Sequence, residues 1–182
     1  DNSVENFEMT LKLFDAAVNA KIQNIYLAST CEIFGYQEKI LDEESSFNPY
    51  SPYAVSKVGE DFIALQYFLS YGMKTIRTRM FTHTGPRRGN VFAESSFAKQ
   101  IAEIEANIHS TGFVSVGNLE SVRTFSDVRD AVRAYWILLD KCEPGEVYNI
   151  GGKETMTVGE MLHILKSFSK IKINHKTDKN LL

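Results

Sequence analysis

The sequence predicts an α/β fold built on a parallel sheet with crossover helices. Three observations carry this. Ile25-Tyr-Leu-Ala28 is a short apolar run with strand character. Residues 53–71 then place Val58, Phe62, Leu65 and Leu69 at helical spacing. Residues 74–81 return to strand character, with Thr75, Ile76, Met80 and Phe81 suited to a buried sheet. Two strands joined through a long helix lie parallel, because only a crossover connection brings the second strand back in the same direction.

The other elements follow in order. Residues 6–20 read as a helix, with Leu11, Phe14 and Val18 on one side and Ala16-Ala17 allowing close packing. The strand at 25–28 ends in polar residues and the turn residue Gly35, and 38–50 is a polar loop. Gly72 stops the long helix. Beyond Gly85, a helix is expected at 95–106 with Phe97, Ile101 and Ile104 to one side, and a strand at 113–116. Asp127 can cap a helix that runs to about Lys141, carrying Val128, Ala131, Ala134, Tyr135 and Leu138 inward. A strand at 146–150 and a helix at 157–169 follow, the latter with Val158, Met161, Leu162 and Leu165 apolar. Residues 170–182 read as a strand and tail, or as a frayed end.

Composition narrows the function classes. The chain has 182 residues, is 43% hydrophobic and carries a net charge of -3. That suits one or two small globular domains and gives no basic field for nucleic acid. No apolar run reaches membrane-spanning length and no leader pattern is visible, so no membrane partner is expected. Two cysteines without metal spacing and four scattered histidines predict no metal, and a reducing, cytoplasmic setting.

Tyr53-Ala-Val-Ser-Lys57 is the most informative stretch. A phenol and an ammonium four residues apart share a helix face. The ammonium is expected to stabilise the phenolate and draw the Tyr53 pKa down, which would let Tyr53 take a proton from a hydroxyl. The plainer alternative is a solvated helix face. Thr30 and Glu32 sit where the first strand ends, and the carboxyl ends of parallel strands are where ligands bind. Their plainer role is to satisfy backbone groups and face solvent.

These segments resemble the extended short-chain dehydrogenase/reductase family in its nucleotide-sugar branch. The resemblance runs from about Asn6 to Gly152 and rests on five ordered segments. Ser29-Thr-Cys-Glu-Ile-Phe-Gly35 is similar to the strand-end motif. Asn48-Pro-Tyr-Ser-Pro-Tyr-Ala-Val-Ser-Lys57 contains the Tyr-x-x-x-Lys segment and its lead-in. Arg79-Met-Phe-Thr-His-Thr-Gly-Pro-Arg-Arg-Gly89 is similar to the strand and loop that pass the nicotinamide, and 117–130 to the segment that binds the sugar nucleotide. The Gly-Pro-Arg-Arg-Gly and Gly-Asn-Leu-Glu-Ser-Val-Arg runs lie nearest the GDP-mannose 4,6-dehydratases and GDP-4-keto-6-deoxymannose reductases.

The resemblance implies a Rossmann-like doubly wound parallel sheet, followed by a smaller C-terminal α/β substrate-binding region. Residues 1–85 would be the C-terminal half of an NAD(P)-binding domain and 86–182 mostly a nucleotide-sugar-binding region, with elements around 117–150 able to return to the first domain. Residue 1 is Asp and no G-x-x-G-x-x-G turn is found, so the chain is expected to be a fragment of a longer parent. Tyr53 would be the general acid/base, with Lys57 as its partner and holder of the nicotinamide ribose. Thr30 would align the sugar O4, and Glu32 would take the C5 proton. His83 and Arg88 match positions that contact the dinucleotide; their plainer readings are a core histidine and a solvated cation. Thr82 stands where Asn is usual and its hydroxyl is shorter, whereas Arg123 would hold the diphosphate or else pair with Glu120. Cys31 departs from the Asp of the dTDP-glucose dehydratase branch.

The implied activity is a 4,6-dehydratase reaction with NADP, or NAD, on a nucleotide-diphosphate sugar, in a homodimer or homotetramer. A 4-keto-6-deoxy sugar reductase and a 4-epimerase need the same Tyr and Lys. A non-enzymatic dinucleotide-binding regulator is a further alternative, against which Thr30, Tyr53 and Lys57 all stand intact.

Overall fold

The structure is a computed structural model that describes residues 3–108 and 112–181. The chain divides into two compact units, one formed by residues 1–81 and 129–151, the other by 82–128 and 152–182.

In the first unit, helix α1 (Ser3–Asn19) leads to strand β1 (Asn24–Thr30), a 3-10 turn (Cys31–Phe34), helix α2 (Pro52–Tyr71) and strand β2 (Lys74–Met80). β1 and β2 pair in parallel with Ser29 opposite Arg79 and Thr30 opposite Met80, so both strands end level. Gly35 closes the turn at φ 59°, and a Cβ there would sit 1.9 Å from the Asn48 carbonyl oxygen. Only glycine allows the loop to pass so close.

α2 starts and stops on local signals. The Ser51 hydroxyl accepts from the Ala54 N–H at 3.0 Å and Pro52 occupies the first turn, while Gly72 ends the helix in the left-handed conformation. Its buried face differs from the expected apolar stripe. Phe62 and Leu69 are exposed, at 52% and 71%, and the core face carries Ile63, Ala64 and Tyr67 beside Ser56, Glu60 and Asp61. The reason is electrostatic. Asp61, fully buried, receives Arg77 Nη1 at 2.7 Å and Arg79 Nε at 3.2 Å from β2. Arg79 also donates to the Glu43 carbonyl at 2.7 Å, and its guanidinium stacks over Phe47 and Phe34. Paired in this way, charges occupy positions that hydrophobic patterning reserves for apolar groups. On α1, Phe14 and Ala17 are buried with Val18 packed beside them, but Leu11 is exposed. Tyr67 donates a short hydrogen bond to Asp15 Oδ1, joining α1 to α2.

The second unit holds β3 (His83–Thr84), helix α3 (Ala93–Glu105), β4 (Phe113–Val116), β5 (Val122–Thr124) and β6 (Ser126–Asp127). Helix α4 (Val128–Lys141) then starts, and from residue 129 the chain is back in the first unit, with Ala131 and Leu138 buried. β7 (Val147–Ile150) joins the far side of β2 in parallel, giving the order β1-β2-β7. The second unit resumes with β8 (Thr155–Thr157), helix α5 (Val158–Ser167) and β9 (Asn174–Thr177). β4 pairs with β9, β3 with β6, and β5 with β8. Its core is apolar: Phe97, Ile101, Val114, Val116, Met161, Leu162 and Ile173. The expected strand and tail at 170–182 is β9 and a short 3-10 turn (Lys179–Leu181); residue 182 lies outside the described residues. Among the described residues no helix is long and apolar enough to cross a membrane, and no group of three or more His, Cys, Asp or Glu could hold a metal.

Candidate functional site

The end of β1, the turn after it and the first two turns of α2 bring four candidate residues into one unit. Thr30 ends β1 and caps the 3-10 turn, its hydroxyl accepting from the Glu32 N–H at 3.3 Å. That leaves the Thr30 O–H able to donate to a ligand. Glu32 is exposed on the turn. Tyr53 lies in the first turn of α2, 42% exposed. Lys57 follows one turn later, with its Nζ 5.9 Å from the centre of the Tyr53 ring.

The electrostatics of this group correct one expectation. The Tyr53 pKa is raised, not lowered, relative to an ordinary tyrosine. Burial is the largest cause; Lys57 pulls the other way, and Glu32, Glu60 and Cys31 push up with burial. Lys57 is not free to act on Tyr53 alone, because its Nζ pairs with Glu60 Oε2 at 2.8 Å. The Glu60 side chain is only 3% exposed. The motifs of the sequence do not single out Glu60, although a Lys and a Glu three residues apart on a helix are a recognisable pair.

The remaining candidates lie in the second unit. The Thr82 carbonyl accepts from the Ser126 N–H and hydroxyl, fixing that segment against β6. His83 and Arg88 line a cavity of about 230 Å³ together with Thr84, Gly85, Pro86, Arg87 and Val128. Arg88 is engaged locally: Nη1 donates to the His83 carbonyl at 2.7 Å, Nε lies 2.7 Å from Glu94 Oε1, and the guanidinium stands 3.7 Å from the Phe92 ring centre. The neighbouring Arg87 is exposed, at φ 74°. Arg123 is exposed on β5 and donates to the Val122 carbonyl at 2.8 Å.

The donor set near Tyr53 suits a ribose. One of the three N–H donors of Lys57 goes to Glu60, which leaves two for the hydroxyls of a sugar ring. A half-exposed phenol beside that ammonium can bond the same ring or a substrate hydroxyl.

The sequence matches the family model described as GDP-mannose 4,6 dehydratase over residues 4–181. It is 32% identical over 168 residues to the GDP-mannose 4,6-dehydratase of Yersinia enterocolitica, an alignment covering 90% of this chain and 44% of that protein. It is 31% identical over 133 residues to the GDP-6-deoxy-D-mannose reductase of Pseudomonas aeruginosa, covering 73% of this chain and 43% of that one. The chain thus spans less than half the length of these relatives. Among solved structures, RMD from Pseudomonas aeruginosa complexed with NADPH superposes with a TM-score of 0.91 at 28% identity, covering 95% of this chain and 59% of the other. The dTDP-glucose 4,6-dehydratase of Bacillus anthracis in complex with NAD gives 0.80 at 28%, covering 93% and 54%. The α/β arrangement with its parallel β1-β2-β7 sheet is Rossmann-like, as in these structures.

Proposed function

The chain belongs to the GDP-mannose 4,6-dehydratase family, and from that premise we propose that its full-length protein is a lyase that removes water across C5 and C6 of a GDP-mannose-like nucleotide sugar. The observation that supports this reading is that the end of β1, the turn after it and the start of α2 carry Thr30, Glu32, Tyr53 and Lys57 within one unit, with Lys57 Nζ 5.9 Å from the Tyr53 ring centre. The first unit is read as the C-terminal half of the cofactor-binding domain and the second as mostly sugar-nucleotide-binding.

NADP, or NAD, is the proposed cofactor; solved relatives carry NADPH or NAD, and Lys57 and Tyr53 would hold its ribose. When bound, the cofactor would supply the hydride chemistry that the reaction needs at C4 and C6. The protein's own groups do the rest. Thr30 donates to O4 and aligns it. Tyr53 takes the O4 proton, helped by the Lys57 charge. Glu32 removes the C5 proton, made acidic by the neighbouring ketone, and passes it to the C6 hydroxyl as that group leaves as water; C5 regains a proton as the double bond is reduced, balanced by the one Tyr53 took from O4. Arg123 holds the diphosphate and Thr82 contacts the sugar nucleotide, while His83 and Arg88 contact the dinucleotide. Cys31 and Cys142 form no disulfide, which fits a reducing cytoplasmic setting, and exposed apolar side chains on α1 and α2, such as Leu13 and Val55, fit a homodimer or homotetramer.

The test is to incubate the full-length protein with GDP-mannose and follow the sugar and the cofactor together. Loss of the C6 hydroxyl with no net change in the cofactor is expected. A second reading, reduction of a 4-keto-6-deoxy sugar nucleotide, is supported by the likeness to the Pseudomonas reductase. Stoichiometric consumption of NADPH with a keto-sugar, and no reaction with GDP-mannose, would establish that reading in place of the first.

A further inference from the structure

We infer that Glu60 is a positioning residue for the proton transfer, dividing the charge of Lys57 between itself and the Tyr53 phenol. The inference rests on the reading that Tyr53 and Lys57 act on the substrate. Its basis is geometric. At about 100° per residue, positions 53, 57 and 60 fall within about 60° of one another around the helix. They form one line along α2: phenol, ammonium, carboxylate. The Lys57 Nζ stands 5.9 Å from the phenol ring and 2.8 Å from Glu60 Oε2. Lys57 and Glu60 are mostly buried, at 18% and 3% side-chain exposure, so solvent screens that pair only weakly, whereas the Tyr53 phenol is 42% exposed.

A purely structural role explains Glu60 poorly. Its other oxygen, Oε1, is buried without a hydrogen-bond partner. A carboxylate left half-satisfied in the interior is a costly way to hold a helix, and an apolar side chain of similar size would serve the fold at least as well. Asp61, the adjacent residue, shows the contrast: its carboxylate bonds two arginines and ties α2 to β2. What Glu60 does contact is the ammonium. It holds Lys57 at one place along the helix and offsets part of its charge. The charged and titratable groups that act on Tyr53 are Lys57, Glu32, Glu60 and Cys31. Of these, Lys57 alone favours the phenolate, so Glu60 weakens the one group that promotes ionisation. Burial, Glu32 and Glu60 together thus favour the protonated phenol, with Lys57 opposing them.

The experiment is an absorbance titration of tyrosinate in the full-length protein, with the same protein carrying Tyr53→Phe as the blank, in the presence and absence of Glu60→Gln. The difference isolates Tyr53 from the other tyrosines. In Glu60→Gln the Tyr53 titration is expected to move to lower pH. The acid limb of the kcat profile should move with it, raising kcat on that limb by about tenfold for each pH unit of displacement. Glu60→Asp, which keeps the charge but withdraws it by one methylene, should shift the titration in the same direction by less, and it serves as the decisive variant if the Gln protein does not fold. A Tyr53 titration unmoved or moved upward in the variant that folds overturns the inference, and so does loss of stability as the only effect. If the titration shifts while the kcat profile does not, the inference about Glu60 stands and the catalytic reading of Tyr53 fails.

Discussion

The two units solve the same packing problem with different chemistry. In the first, the helix that carries Tyr53 and Lys57 packs Ile63 and Ala64 in an apolar cluster with Leu27 but is also tied to the sheet by ions: Asp61 bridges Arg77 and Arg79, and Arg79 reaches on to the Glu43 carbonyl. In the second, α3 and α5 close over β4 through an apolar core of Phe97, Ile101, Val114, Met161 and Leu162. Directional bonds fix the rotation of a helix as well as its distance, because each needs a particular geometry. Apolar contacts fix distance and leave more freedom to repack. A helix that must present a phenol and an ammonium to one point gains from the first arrangement. A unit whose candidate groups sit on loops and short strands does not need it.

The largest expected effect follows from that contrast. Asp61→Ala removes the shared partner of two buried guanidinium groups. Leaving such a charge unpaired should cost about 3–5 kcal/mol, read as a fall in the urea midpoint of the full-length protein. Leu162→Ala in the apolar unit is expected to cost less than that upper figure, within the span of about 2–5 kcal/mol for such truncations, because neighbouring side chains can move into the space. Recovery of Asp61→Ala by a second substitution, Arg77→Met, would place the recovered part of the cost in the unpaired Arg77 charge. No recovery would mean that Arg79 alone needs the carboxylate.

How much of this could be read in the sequence depended on the kind of force involved. The helices and the strands of the β1-β2-β7 sheet are strongly periodic or bounded by Ser51-Pro52 and Gly72, so they were legible, with ends displaced by at most three residues. The buried face of α2 was not. Phe62 and Leu69 fit an apolar stripe, yet Glu60 and Asp61 lie inside because their partners come from Lys57 and from β2, sixteen and eighteen residues downstream of Asp61. Periodicity weighs each residue by its own polarity and contains no account of partners. The two- and three-residue strands β3, β5, β6 and β8 went unread for a related reason: they are too short to show alternation. At the candidate site, the grouping of Thr30, Glu32, Tyr53 and Lys57 was visible through motif and resemblance. The upward shift of Tyr53 was not, since it comes first from burial and then from Glu32, Glu60 and Cys31.

The next effects separate chemistry in the first unit from binding in the second. Tyr53→Phe should lower turnover by about a hundredfold or more, the scale of a lost general acid/base, and leave nucleotide-sugar binding nearly unchanged. An unaltered rate would remove Tyr53 from the mechanism. Because burial holds the phenol's pKa up, turnover by wild type should rise with pH on the acid side as the phenolate becomes accessible, and Tyr53→Phe should lose that rise. Arg123→Ala should do the reverse. It should weaken nucleotide-sugar binding by about 1.5–3 kcal/mol, as for a charge-assisted contact, measured by calorimetry, with cofactor affinity retained. Equal affinity for the sugar nucleotide would leave Arg123 as a surface residue held by the Val122 carbonyl.

The smallest effect tests whether the second unit also depends on directional bonds where its apolar core ends. α5 begins with a reciprocal cap: the Thr157 hydroxyl accepts from the Glu160 N–H at 3.0 Å, and Glu160 Oε2 accepts from the Thr157 N–H at 2.7 Å. Thr157→Ala removes the hydroxyl half of this pair and should cost about 1 kcal/mol. The carboxylate half carries a pH signature. The Glu160 pKa lies below its ordinary 4.5 because the Thr157 backbone and side chain both bond the charged form. A carboxylate with a lowered native value adds stability that is fully present above 4.5 and is lost as pH falls through the native value. Amide exchange in the first turn of α5 should therefore speed up on acidification below 4.5, beyond the change that acid alone makes in exchange chemistry. In Thr157→Ala that extra acceleration should shrink, because one of the two bonds to the carboxylate is gone. If α5 exchanges at the same rate in both proteins at every pH, the cap contributes nothing and the apolar core alone holds the helix.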